Sequence, residues 1–231
     1  MTRGILIAGN DSTLSRAIEV EAANRVKQYV SALIPNRLSD GMTISADVRG
    51  SNDSSSEDDK QFSLNWNPSS PISARALVLA AENRLERIDE AILVCSPPSI
   101  RSKPAKLPFS AVEVMLNDHI KGWFYLIKEL TAIFKERENG TLVLVYPDIN
   151  FNSGKEKVVD FLGPSAIASF RALAHGLLSA AHCEPYITTG FSTSDLGNET
   201  AFASFIFKSI DDLTKRSNGK LFKYGKFSFF K

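Results

Sequence analysis

The feature that most constrains this chain is its alternation of short, uninterrupted apolar runs with longer amphipathic stretches. Ile5-Leu6-Ile7-Ala8 leads into Gly9 and a polar turn, and helical periodicity follows from Thr13 to Leu33. Further apolar runs occur at Thr43 to Val48, Phe62 to Leu64, Ala91 to Cys95, Thr141 to Tyr146 and Tyr186 to Thr188. Helical patterns at 73–88, 110–137 and 164–182 lie between them. Strands that are apolar on both faces need cover on both sides. The expected architecture is therefore α/β: a doubly wound, mostly parallel sheet with helices on both faces, in three α/β/α layers.

All 231 residues are expected to form one domain, because neither break in the pattern is long enough to separate two cores. Those breaks are the polar stretch Arg49 to Lys60 and the proline-punctuated stretch Pro97 to Pro108. Lys and Arg number 27 against 26 Asp and Glu, so the overall charge gives no reason to expect a nucleic-acid or acidic-lipid partner. Cys95 and Cys183 match neither a zinc spacing nor a disulfide framework, and no metal site is expected. They are expected to be reduced, buried thiols of a cytoplasmic protein. Asn10 and Asp11 cut the first apolar run short of a signal sequence, and no later run reaches membrane-spanning length. The last segment, Lys215 to Lys231, interleaves basic and aromatic residues. Stacking on nucleic acid is one reading of it; a final strand after the Asn218-Gly219 turn is the favoured one.

In such a sheet, ligands bind at the carboxyl ends of the strands, and the first strand-to-helix turn presents a helix N-terminus to phosphate. That turn here is Gly9-Asn10-Asp11-Ser12-Thr13-Leu14-Ser15, continuing into Arg16-Ala17-Ile18. It resembles the glycine-rich opening turn of the short-chain dehydrogenases/reductases, with Gly9 as the first glycine and Thr13 and Ser15 in place of the later two. Each added Cβ takes room that a cofactor would use, while the hydroxyls offer new donors; Ser12 or Thr13 also suits a helix N-cap.

The resemblance extends over nearly the whole chain and implies a Rossmann-like fold. Ile88 to Val94 resembles the family's fourth strand, but Cys95-Ser96-Pro97-Pro98 stands where the family places Asn-Asn-Ala-Gly. The segment Asn117 to Phe124 resembles its Asn-x-x-Gly helix, with His119 in the asparagine position. Gly140 to Pro147 resembles its fifth strand, ending in Tyr146-Pro147 where the family has two serines, the second of them catalytic. Ser165 to Leu178 resembles the helix of the catalytic Tyr-x-x-x-Lys, which becomes Ile167 and Arg171 when Gly176 anchors the alignment.

Family hydride transfer needs a phenol, a cation that lowers its pKa and a hydroxyl that steadies the carbonyl. Ile167 and Pro147 supply neither proton nor hydroxyl, and none of the 5 tyrosines has a lysine four residues later. Tyr146 and His119 are the candidate substitute acids, against ordinary packing roles for both. Arg171 and His175 lie one helical turn apart and form a candidate anion pair if their face meets the cleft; otherwise Arg171 is an ion-paired surface residue.

By the resemblance, NAD or NADP is the cofactor to test. The contacts it implies are Gly9, Ser12, Thr13, Leu14, Ser15, Cys95, Ser96 and Pro97, with Asp47, Arg49 and Asn65 toward the ribose and adenine. Asp47 favours NAD and Arg49 favours NADP, so the coenzyme stays open. Family members pair through the helices at 110–137 and 164–182, implying a homodimer or homotetramer. Trp123, Phe124, Ile127, Phe134, Phe170, Leu173 and Leu177 add apolar bulk there. The expected function is that of a catalytically degenerate relative acting by nucleotide, small-molecule or partner binding. The alternative is an active NAD(P)-dependent oxidoreductase with a rearranged proton donor.

Overall fold

A computed structural model of the chain describes residues 3–25, 28–34, 61–148, 159–195 and 197–225. Seven strands form one parallel sheet: β1 (Gly4–Asn10), β2 (Gln28–Ile34), β3 (Gln61–Ser63), β4 (Glu90–Val94), β5 (Thr141–Pro147), β6 (Ile187–Thr193) and β7 (Leu221–Tyr224). Their spatial order is β3-β2-β1-β4-β5-β6-β7. The chain works outward from β1 to one edge, then returns to the other side of β1 at β4. That reversal opens a crevice between the carboxyl ends of β1 and β4.

Alternation along the central strands explains the three layers. Leu6 and Ala8 of β1, Leu93 of β4 and Leu144 of β5 face one cluster with residues of α2 (Pro71–Leu85), α4 (Gly122–Glu136) and α5 (Leu162–Ala180). Ile5, Ile7, Ile92 and Val143 face the other, with residues of α1 (Thr13–Arg25) and α6 (Glu199–Asp211). The fully buried Phe202, Ile206 and Phe207 anchor α6, each stabilising it by about 1.5–3 kcal/mol.

The expected doubly wound sheet is present, but its second strand is not the one anticipated. Helix α1 stops at Arg25, and Gln28–Ile34 pairs in parallel with β1 from Gly4 opposite Gln28 to Asn10 opposite Ile34. A chain that packs Tyr29, Val30, Ala32 and Ile34 into the sheet shows helical spacing by coincidence, with no Gly or Pro to mark the break. The strand expected at Thr43 to Val48 lies outside the described residues. Helix α6 was not anticipated, nor was the two-residue antiparallel pair of Arg101–Ser102 with Val159–Asp160.

The helix expected at 110–137 is divided: α3 (Phe109–Leu116), a π-helical turn over Asn117–Lys121, then α4. The Gly122 N–H reaches back to the Asn117 carbonyl, and a Cβ at Gly122 would stand 2.6 Å from Pro68 Cβ. Only a bare backbone fits that crossing.

Two expectations about side chains are corrected. Trp123, Ile127, Phe134 and Phe170 are buried in the core, and Leu173 and Leu177 pack against it, leaving Phe124 exposed at 51%. Cys95 is buried, but Cys183 is exposed. The final strand does form: Gly219 adopts φ +77° in the turn before it, and Phe222 stacks on Phe191 at 5.2 Å. Tyr224 packs 5.4 Å from Phe202 and from Phe205, so these two aromatics are accounted for by burial. Residues 226–231 lie outside the described residues. Among the described residues no helix is long and apolar enough to cross a membrane.

Candidate functional site

The crevice is lined first by the turn from β1 into α1. A Cβ at Gly9 would stand 2.7 Å from the Val94 carbonyl oxygen and 3.3 Å from Ser15 Oγ, so strand, neighbouring strand and helix meet too closely for any side chain there. Ser12 caps α1: its Oγ accepts the Ser15 N–H at 3.1 Å and lies 3.0 Å from Ser15 Oγ. Ser15 is fully buried, and Leu14 is turned into the core with Ile18. Of the two residues standing where later glycines were expected, only Thr13 is exposed.

Thr13 does not present a free hydroxyl. Its Oγ1 donates to Glu199 Oε1 at 3.2 Å. Glu199 is the first residue of α6, so its carboxylate lies where two helices begin, α6 and α1. Arg16, the sole basic residue from Gly9 to Ile18, is gripped by Asp11 at 2.8 and 3.0 Å and by Glu19 at 3.0 Å. Across the crevice, the Ser96 N–H donates to Asn10 Oδ1 at 3.2 Å, joining β1 to the segment after β4. Ser96 and Pro97 are half-buried there, whereas the Cys95 side chain is wholly inside and burial pushes its thiol pKa up. Asn65 is exposed two residues beyond β3; Asp47 and Arg49 lie outside the described residues.

Farther along the same edge are the positions of the expected chemistry. Pro147 ends β5, and Ile167 of α5 is buried at 5% exposure. Arg171 points outward and donates to Asp148 Oδ1 at 3.1 Å. Arg171 and His175 do share a pocket, of about 210 Å³, with Pro147, Asp148, Ile167 and Ala168. Its cation is already matched by a carboxylate.

The two substitute acids are both buried away from water. Tyr146 is 1% exposed, its ring set edge-on to Phe170 at 6.1 Å, and its hydroxyl has no hydrogen-bond partner among the described residues. Burial raises its pKa, with Arg171 opposing the rise. His119, on the π-helical turn, is 4% exposed with Nδ1 unpartnered among the described residues. Desolvation lowers its pKa to about 4, so at neutral pH it is an uncharged imidazole. Among the described residues no group of three or more His, Cys, Asp or Glu is placed to hold a metal ion.

Solved structures share this fold. A Serratia marcescens short-chain dehydrogenase/reductase variant matches at TM-score 0.64 and 10% identity, covering 96% of this chain and 95% of that one. The fold is that of the short-chain dehydrogenases/reductases. Escherichia coli serine dehydrogenase matches at TM-score 0.69 and 13% identity, with 96% of each chain covered. The structure of ElxO with NADP bound matches at TM-score 0.71 and 11% identity, over 96% of this chain and 97% of that one. No family sequence model and no curated protein sequence matches the chain.

The strand order places the turn Gly9 to Ser15 and the segment Ser96-Pro97 at the carboxyl ends of the adjacent strands β1 and β4. Pro147, Ile167 and Arg171 come together at the neighbouring pocket. Sequence reasoning missed Glu199, Asn10 and Asp148. The signal for Glu199 was available: Asn198-Glu199 opens a stretch with apolar residues at 202, 203, 206, 207 and 210, the spacing of an amphipathic helix.

Proposed function

We propose that this chain is a binding protein built on a dehydrogenase scaffold, acting through the crevice between β1 and β4 without hydride-transfer chemistry. The observation that carries this reading is the state of the position expected to hold the catalytic tyrosine: Ile167 fills it and is packed into the core. An aliphatic side chain transfers no proton, and Arg171, one turn on, is committed to Asp148. Tyr146 and His119 do not replace the missing acid, because each is buried, at 1% and 4% exposure.

The crevice is proposed to take a small molecule, a nucleotide whose phosphates lie away from the β1-to-α1 turn, or a small partner segment. Ser12, Thr13, Ser96 and Pro97 are its proposed walls, with Gly9 and Ser15 packed behind them. Self-association is also proposed, supported by Phe109 at 89%, Leu116 at 49% and Phe124 at 51% exposure on α3 and α4. The test combines a fluorescence titration with NADH and NADPH and an assay of their oxidation across ketones and aldehydes. Absence of catalysed oxidation agrees with the proposal, with or without saturable binding. Catalysed oxidation of either coenzyme would support an active NAD(P)-dependent oxidoreductase with a rearranged donor and overturn it.

A further inference from the structure

The fold implies a dinucleotide whose pyrophosphate meets the β1-to-α1 turn, and this chain's charges disagree with that. Where a pyrophosphate would bring two negative charges, Glu199 already places one, held on Thr13 Oγ1 at 3.2 Å. The same carboxylate stands in the first turn of α6, where the helix dipole favours an anion, so its position is stabilised from both helices. Arg16, the sole basic residue from Gly9 to Ile18, already holds both Asp11 and Glu19 and has little charge left to offset a second anion. Thr13, the exposed hydroxyl of the turn, is spent on this contact as well.

We infer that Glu199 is a built-in carboxylate competitor: it denies the β1-to-α1 turn to a dinucleotide pyrophosphate, and neutralising that side chain opens the turn. The inference rests on reading the crevice as a binding site. It assigns to Glu199 a specificity role, set against phosphate-bearing ligands and indifferent to neutral ones. A like charge brought within a few ångströms of the bound phosphates acts on them directly, whereas a nucleoside without phosphate does not meet it.

The test is equilibrium titration of the full chain and of Glu199→Gln with NADH, and in parallel with adenosine, a ligand without phosphate. Glu199→Gln keeps the shape and leaves α6 its buried face, and thermal unfolding confirms that the variant is folded. The expected result is NADH binding about tenfold tighter in Glu199→Gln than in the wild type, with adenosine affinity unchanged. Equal NADH affinity in the two proteins would overturn the inference, as would saturation by neither, or an equal gain for adenosine, which would mark general loosening. Catalysed oxidation of NADH by the wild type would overturn the non-catalytic reading and leave the competitor role of Glu199 standing.

Discussion

Asn10 Oδ1 accepts the Ser96 N–H at 3.2 Å across the switch point of the sheet, linking the end of β1 to the segment that follows β4. The two strands already pair from Ile5 opposite Glu90 to Gly9 opposite Val94, and this side-chain bond joins the chain just past the end of the ladder, one residue beyond Gly9 and two beyond Val94. It fixes the Ser96-Pro97 backbone against the crevice. With Asn10 only 5% exposed, water cannot readily replace the bond.

Replacing Asn10 by Leu strands the Ser96 N–H in a part-buried site. The expected cost is about 1–3 kcal/mol, seen as a lower denaturant midpoint with an unchanged slope. An unchanged midpoint would show that the bond contributes nothing to holding β1 and β4 together.

His119 makes stability depend on pH. Its ordinary pKa of 6.5 is lowered to about 4 in the folded protein by desolvation. Between those values the unfolded chain binds a proton that the folded chain refuses. The stability associated with the neutral ring is therefore whole above pH 6.5 and lost as pH falls toward 4. The loss amounts to about 3 kcal/mol across the window. Urea unfolding of the wild type and of His119→Asn at a series of pH values checks it: the wild type should fall relative to the variant as pH drops, and parallel curves would contradict the assignment.

Arg171→Met should barely move stability. Its partner contact with Asp148 is made by a side chain 46% exposed, and such pairs contribute about 0–1 kcal/mol. A loss well above that range on thermal unfolding would mean that the pocket beside Ile167 depends on the ion pair for its shape.

The central layer of the fold was legible because its strands declare themselves: β1, β4 and β5 are buried runs bounded by turns, and such runs have few alternatives. β2 was hidden because only two residues separate it from Arg25, and Tyr29 to Ile34 continue the apolar spacing of α1. That reading ended the second strand at Val48 and drew the expected ribose contacts from Asp47 and Arg49, which lie outside the described residues. Local geometry was legible where it depends on one motif, as in the close approach at Gly9, the Ser12 cap and the ion-paired Arg171. The candidate site was illegible where distant segments meet. Thr13 and Glu199 are 186 residues apart, and Asn10 and Ser96 are 86 apart, so neither contact has a local pattern to announce it.

Transfer of hydride itself tests the account most directly. NADH and NADPH carrying deuterium at the transferable C4 position are incubated with the wild-type chain and a panel of ketones and aldehydes, and the recovered alcohols are examined by mass spectrometry. With Ile167 at the position the resemblance gives to the proton donor, and Tyr146 and His119 buried, the proposal predicts that no alcohol carries deuterium above the protein-free control. Catalysed appearance of deuterated alcohol would contradict the account.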